Sequence, residues 1–175
     1  KNFFIKRDDL TGCELSGNKV RKLEYLLYDA KKTNADIIFT CGGDQSNHAR
    51  AATIAAKKIG LNTKLFLWGK KTSSVNGNLF LNKMYNAEIR YLNKRNYDNV
   101  NEIMFDERIK LLKKRKNAYV LPEGGSTTLG IWGYIDFIDE LKKQVDLNSV
   151  NSIVVACGSG GTAAGMMVGA ALNNS

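Results

Sequence analysis

The feature that most constrains this chain is an alternation. Short, continuously apolar runs end on glycine or proline, and helical patterns lie between them. Ile37-Ile38-Phe39-Thr40-Cys41 runs into Gly42-Gly43, and the alanine-rich stretch 47–59, closed by Gly60, follows as a helix. Residues 63–68 read as the next strand and stop at Gly69. Residues 79–85 read as a helix, 88–92 as a strand, and 100–116 as a helix on the spacing of Val100, Ile103, Met104, Ile109, Leu111 and Leu112. A strand at 118–121 is stopped by Pro122, the only proline. A helix at 129–145, a strand at 153–157 and a glycine-opened helix at 162–172 complete the pattern, and Phe3-Phe4-Ile5 is strand-like at the start. Short unbroken apolar runs suit strands covered by helices on both faces, so the alternation predicts an α/β fold with parallel sheets. No repeat, low-complexity tract or long linker interrupts it.

Composition narrows the function classes. With 43% hydrophobic and 25% charged residues, the 175-residue chain reads as globular rather than disordered. No apolar run reaches the roughly 20 residues of a membrane span, and the best candidate, 153–172, is broken by five glycines. The net charge of +9 raises nucleic acid as a partner. The lysines are scattered, however, and the densest run, 110–116, lies on an amphipathic helix pattern. No helix-turn-helix, zinc-finger or aromatic RNA-binding motif accompanies them, so the charge reads as solvated surface, with neither nucleic acid nor membrane as partner. Cys13, Cys41 and Cys157 are odd in number and far apart, which argues against disulfides and, with His48 the one histidine, against a metal site. Reduced thiols imply an intracellular compartment. The chain opens on Lys1 without a signal peptide and closes on Asn173-Asn174-Ser175 directly after a helix pattern, so it is expected to be a fragment or a processed chain.

Chemistry gathers where strands end. Thr40-Cys41-Gly42-Gly43-Asp44-Gln45-Ser46-Asn47-His48 joins a strand to a helix, and Ser46 and Asn47 fall where unpaired helix N–H groups favour anions. An ordinary N-cap explains the same residues. Gly158-Ser159-Gly160-Gly161-Thr162 exposes successive N–H groups and adds two hydroxyls, a cradle for phosphate. It lacks the P-loop lysine and the G-x-G-x-x-G dinucleotide spacing. Pro122-Glu123-Gly124-Gly125-Ser126-Thr127 is a third turn, in which Ser126 or Thr127 could cap the following helix. Finally, Ser16-Gly17-Asn18 is a turn and Lys19 opens a helix with Val20, Leu23, Leu26 and Leu27 on its apolar face. A lysine at the positive end of a helix dipole has a lowered pKa, and a neutral amine is what Schiff-base chemistry requires. Lys22 lies one turn later on the same face.

These motifs carry a resemblance. Lys6-Arg7-Asp8-Asp9-Leu10-Thr11-Gly12 with Ser16-Gly17-Asn18-Lys19-x-Arg21-Lys22-Leu23-Glu24 resembles the N-terminal signature of the D-cysteine desulfhydrase and 1-aminocyclopropane-1-carboxylate (ACC) deaminase group. That group belongs to the fold-type-II, tryptophan synthase beta-like enzymes that use pyridoxal 5'-phosphate (PLP). Gly42-Gly43-x-Gln45-Ser46-Asn47-His48-x-Arg50, Gly124-Gly125-Ser126 and Gly158-Ser159-Gly160-Gly161-Thr162 follow in the group's order. The resemblance spans about residues 4–172.

It implies two three-layer parallel-sheet domains and a chain that lacks the C-terminal half. Residues 1–30 and 127–175 would belong to a large PLP-binding domain and 31–126 to a small one. Lys19 would carry PLP covalently and serve as general base or acid. Asn47 would hydrogen-bond the ring oxygen, and Ser46 would contact the substrate carboxylate and assist proton transfer. Gly158, Ser159, Gly160, Gly161 and Thr162 would bind the phosphate, helped by Lys22, while Gln45, Ser46, Asn47 and His48 would face the substrate. The reaction implied is D-cysteine breakdown to pyruvate, ammonia and sulfide, which His48 favours over ACC deamination; a homodimer is the expected assembly. Asp44 departs from the apolar residue expected at its place. The later half of the family's chain supplies active-site tyrosines and the partner of the pyridine nitrogen, so a non-catalytic PLP-binding fragment stays open. Serine or threonine dehydratases and cysteine synthases order the lysine motif differently.

Overall fold

The computed structural model describes residues 3–173; Lys1, Asn2, Asn174 and Ser175 lie outside the described residues. Its centre is one parallel sheet of four strands. Strand β1 (Ile37–Gly43) pairs with β2 (Asn62–Trp68) on one side and β4 (Ala118–Val120) on the other, and β3 (Glu88–Leu92) extends β2 to give the order β3-β2-β1-β4. Alternate residues of a strand face opposite ways, and β1 uses both faces. Ile38 packs with Leu23, Leu26, Ala52 and Leu121, a core supplied by helices α1 (Lys19–Lys32) and α2 (Asn47–Lys58). Phe39 and Cys41 pack on the other side with Phe66, Val100 and Met104, the last two from α5 (Val100–Leu112). Helix, sheet and helix form three layers, as the unbroken apolar runs require.

Helix α3 (Gly77–Met84) seals the β2 end of the sheet through Leu79, which meets Ala49, Leu65 and Leu67. Helices α6 (Trp132–Lys142) and α7 (Gly161–Leu172) pair separately around Tyr134, Phe137, Ile138 and Met166. Helix α1 joins the two parts, because it packs against both α2 and α6. At Gly133 the approach is so close that an added Cβ would lie 2.2 Å from the carbonyl oxygen of Arg21.

The observed elements follow the sequence pattern with five corrections. A short helix α4 (Lys94–Tyr97), with Asn93 accepting from the N–H of Asn96, went unread because one turn carries no apolar period. The helix expected over 100–116 ends at Leu112, and the one expected over 129–145 occupies Trp132–Lys142. Residues 153–157 are not a strand: the described residues offer no neighbour to complete their ladder, and Val154 is 88% exposed. Phe3-Phe4-Ile5 likewise forms no strand and is exposed. The described residues thus form one sheet, and 127–172 contribute helices only. Among the described residues no helix is long and apolar enough to cross a membrane.

Candidate active site

The segment before α1 is held from two sides. Arg21 donates to both carboxylate oxygens of Asp8, at 2.9 and 3.0 Å, and to Glu140 at 2.7 Å, while Tyr134 donates to Asp8 at 2.8 Å. The Arg21 guanidinium and the Lys6 ammonium hold Glu140 well down, to about 2. From the other side, Arg50 of α2 donates to the carbonyls of Glu14 at 2.6 Å and Ser16 at 3.0 Å. These contacts fix the turn Ser16-Gly17-Asn18, in which Gly17 has φ +92°, and so the position at which Lys19 leaves the chain.

Lys19 lines a cavity of about 40 Å³, room for a group of a few heavy atoms, together with Asn18, Cys157, Gly158, Ser159 and Thr162. Burial lowers its pKa below the ordinary lysine value. Lys22 lies deeper, at 1% exposure. Its Nζ donates to the carbonyl of Gly124 at 3.3 Å and the hydroxyl of Ser126 at 3.2 Å. Burial, with the Lys19 charge adding to it, brings Lys22 down to about 8. Among the described residues no carboxylate pairs with either lysine. A buried cation without an acidic partner is costly unless an anion completes the site.

The glycine-rich turn supplies such a place. Gly160, with φ +82°, precedes α7, whose N-terminal N–H groups open at Gly161. Ser159 shares a 2.8 Å hydrogen bond with Ser126, and Asn18 donates to Thr162 at 3.1 Å, so two elements distant in sequence meet here. A Cβ at Gly161 would sit 2.8 Å from Lys22 Nζ and 2.5 Å from Ser126 Oγ. At Gly124, φ is +69° and a Cβ would collide with Ser159 Oγ at 2.3 Å. Only glycine lets both backbones approach this closely. Ser126 belongs to this cluster rather than capping α6, and Thr127 accepts from the N–H of Gly130 at 2.9 Å, in the turn ahead of that helix.

The β1–α2 turn, with Gln45, Ser46, Asn47 and His48, lies outside the residues that line this cavity. Ser46 caps α2, its Oγ accepting from the N–H of Ala49 at 3.1 Å, which leaves its own O–H to donate elsewhere. Gln45 and Asn47 are tied to the start of α3 through Asn76 and Asn78. His48 is 4% exposed and turned inward, with Nε2 2.9 Å from the hydroxyl of Thr40 and Nδ1 unpartnered. Burial and the charges of Lys19 and Lys22 push its pKa down to about 3, so it is neutral. Of the residues singled out from sequence, Lys19, Gly158, Ser159, Gly160 and Thr162 line one cavity, Lys22 and Gly161 adjoin it, and His48 lies behind Gly125. Ser126 is the addition. The signal for it was the glycine pair that precedes it.

The fit to a phosphate-bearing cofactor rests on that buried, acid-free Lys22 beside three hydroxyls and a helix N-terminus. A second lysine with a lowered pKa opens the same cavity. A parallel α/β fold with this arrangement suits a cofactor whose phosphate rests on a helix end and whose carbonyl reacts with a lysine amine. The signature of the pyridoxal-phosphate-dependent enzyme family matches residues 1–175, and the chain belongs to that family. A Thermotoga maritima protein, assigned provisionally as an ACC deaminase, is 48% identical over 96% of this chain and 54% of its own length. The mitochondrial bifunctional D-cysteine desulfhydrase/ACC deaminase of Arabidopsis thaliana is 42% identical over 95% of this chain and 44% of its own. The crystal structure of an ACC deaminase homologue superposes with a TM-score of 0.89 at 40% identity, covering 97% of this chain and 51% of that one. The chain thus spans about half the length of the relatives it matches.

Proposed function

We propose that this chain forms the PLP-binding part of a lyase that acts on a small amino acid, with D-cysteine desulfhydration to pyruvate, ammonia and sulfide as the activity. The observation that carries the proposal is Lys22, a buried cation with no acidic partner, set beside Lys19 and the 158–162 turn. ACC deamination is the second reading, favoured by a relative named for both activities.

Bound PLP supplies an electron sink for negative charge at the substrate Cα. The chain's own residues do the rest. Lys19 would hold the cofactor through Nζ; once the substrate amine takes its place, the freed amine, with its pKa lowered by burial, would take a proton from Cα and return it. Lys22, Ser159, Gly160, Gly161 and Thr162 hold the phosphate, with Ser126 joining them through Ser159. Asn47 donates to the ring oxygen. Ser46 gives its free O–H to the substrate carboxylate at the positive end of α2. Gln45 sits on the substrate side. His48 acts on substrate choice through Thr40 and Gly125 rather than by reaching the substrate directly.

The same reading assigns 1–30 and 127–175 to a larger cofactor-binding unit and 31–126 to a smaller one. That all four strands fall within 31–126 supports the division. A homodimer in an intracellular compartment completes the proposal, and the three free cysteines are consistent with that compartment.

The test is the near-visible absorption spectrum of the full-length protein with PLP, before and after D-cysteine or ACC is added. A new band that D-cysteine shifts, with sulfide released, is expected. A band shifted by ACC alone would transfer the assignment to the deaminase, and no band would remove the cofactor reading.

A further inference from the structure

The amide of Asn47 has two ends of opposite character, and only one suits an anionic ring oxygen. Which end faces the cofactor is set by neighbours 31 residues away in sequence. Asn78 Nδ2 donates to the backbone carbonyl of Gln45 at 2.7 Å and to Asn47 Oδ1 at 2.9 Å. A backbone carbonyl can only accept, so the end of the Asn78 amide lying on it must be the NH₂. That NH₂ has a second hydrogen, and the Asn47 atom it meets must also be an acceptor, its Oδ1. The two contacts together thus fix the orientation of both amides.

The brace has a second strand. The N–H of Asn78 donates to Gln45 Oε1 at 3.0 Å, and Gln45 Nε2 donates to the carbonyl of Asn76 at 3.4 Å. Gln45 thereby satisfies an N–H at the start of α3, where Asn76 makes no side-chain cap. Leu79, one residue on, is buried at 1% exposure and anchors α3 to the sheet. The polarity of Asn47 is thus referred to a rigid part of the fold.

We infer that Asn78 is a positioning residue: it holds Asn47 Oδ1 and so leaves Asn47 Nδ2, a donor, as the free end facing the cofactor. The inference rests on the proposal that Asn47 bonds the PLP ring oxygen. With Asn78 absent, nothing holds the Asn47 oxygen away, and the amide is free to turn between two orientations of which only one donates to the ring oxygen.

The test uses the full-length protein freed of cofactor and titrated with PLP. The readouts are the Kd and the pH at which the bound cofactor's near-visible band titrates. A donor on the ring oxygen favours its ionised form, so losing that donor raises the midpoint. We expect Asn47→Ala and Asn78→Ala each to weaken PLP binding roughly three- to tenfold and to raise the midpoint. The double variant should be no worse than Asn47→Ala alone, because the two act as a unit. Asn78→Asp, which offers only acceptors, should shift the midpoint at least as far as Asn78→Ala. Asn78→Ser serves the same comparison should the alanine variant fail to fold. If Asn47→Ala moves both readouts while the Asn78 variants leave the midpoint in place, Asn78 merely braces the loop and the inference is overturned. If Asn47→Ala moves neither, the reading of Asn47 itself fails and takes the inference with it.

Discussion

Replacing Lys22 by Met should strengthen the cofactor-free protein and weaken its hold on PLP. The ammonium of Lys22 is buried and meets only the Gly124 carbonyl and the Ser126 hydroxyl. Burial and the Lys19 charge lower its pKa from 10.5 to about 8. At about 1.4 kcal/mol per unit, that shift is a few kcal/mol of destabilisation; water in the adjoining cavity screens part of it, leaving roughly 1–2 kcal/mol. Met keeps the length, removes the charge and leaves the Gly124 carbonyl without this donor, a loss of about 1 kcal/mol. The net gain is then up to about 1 kcal/mol, a rise in Tm of roughly 2–4 °C for a chain of this size. The sign with pH is fixed. Lys22 is a base with a depressed folded pKa, so the unfolded chain binds more protons between about pH 8 and 10.5, and wild-type stability rises through that window. The advantage of Lys22→Met should therefore be present at pH 7 and vanish by pH 10.5. Against this, a charge-assisted contact to the phosphate is worth about 1.5–3 kcal/mol, so the Kd for PLP should rise roughly 10- to 100-fold. Thermal melts of the cofactor-free protein at the two pH values, with PLP titrations at pH 7, measure both. A variant that melts lower at pH 7 and binds PLP as well as wild type would refute the reasoning.

Three further outcomes are expected. Inorganic phosphate should bind less tightly as the pH rises above about 8, where free Lys22 loses its proton; isothermal titration at pH 7 and 9 checks this, and Lys22→Met should flatten the dependence. Gly133→Ala should cost about 1–3 kcal/mol by urea unfolding, since the new Cβ would lie 2.2 Å from the Arg21 carbonyl oxygen and force α1 and α6 apart. Arg50→Ala should free the carbonyls of Glu14 and Ser16 and loosen the turn before Lys19, seen as faster amide hydrogen exchange over residues 14–18; unchanged exchange would contradict that role.

Much of the sheet was legible because its strands are buried on both faces. Ile37-Ile38-Phe39 and Leu65-Phe66-Leu67 have no polar alternation to confuse with a helix, and Gly43 and Gly69 mark where they stop. The run 153–157 has the same character, yet a strand is defined by a neighbour as well as by its own residues, and the described chain provides none. The site was legible as a set of motifs but not as a geometry. Lys22 reads from sequence as a helper to the phosphate-binding turn 158–162; its burial depends on Gly124 and Ser126 folding over it from about a hundred residues away. His48 follows the polar run Asp44-Gln45-Ser46-Asn47 in sequence, and only the packing of α2 against Thr40 and Gly125 turns it inward. The Asn78 brace left no local signal, because Asn-Gly-Asn reads as any loop and its partners lie on another element.

The chemistry proposed for this site turns on PLP being held through the Nζ of Lys19. The most direct measurement is borohydride reduction of the full-length protein with PLP bound, followed by digestion and mass spectrometry to locate the attached group. One phosphopyridoxyl label is expected, on Lys19, absent from Lys19→Ala and retained at Lys19 in Lys22→Met at saturating PLP. A label on Lys22 or on surface lysines, with Lys19 unmodified, would contradict it.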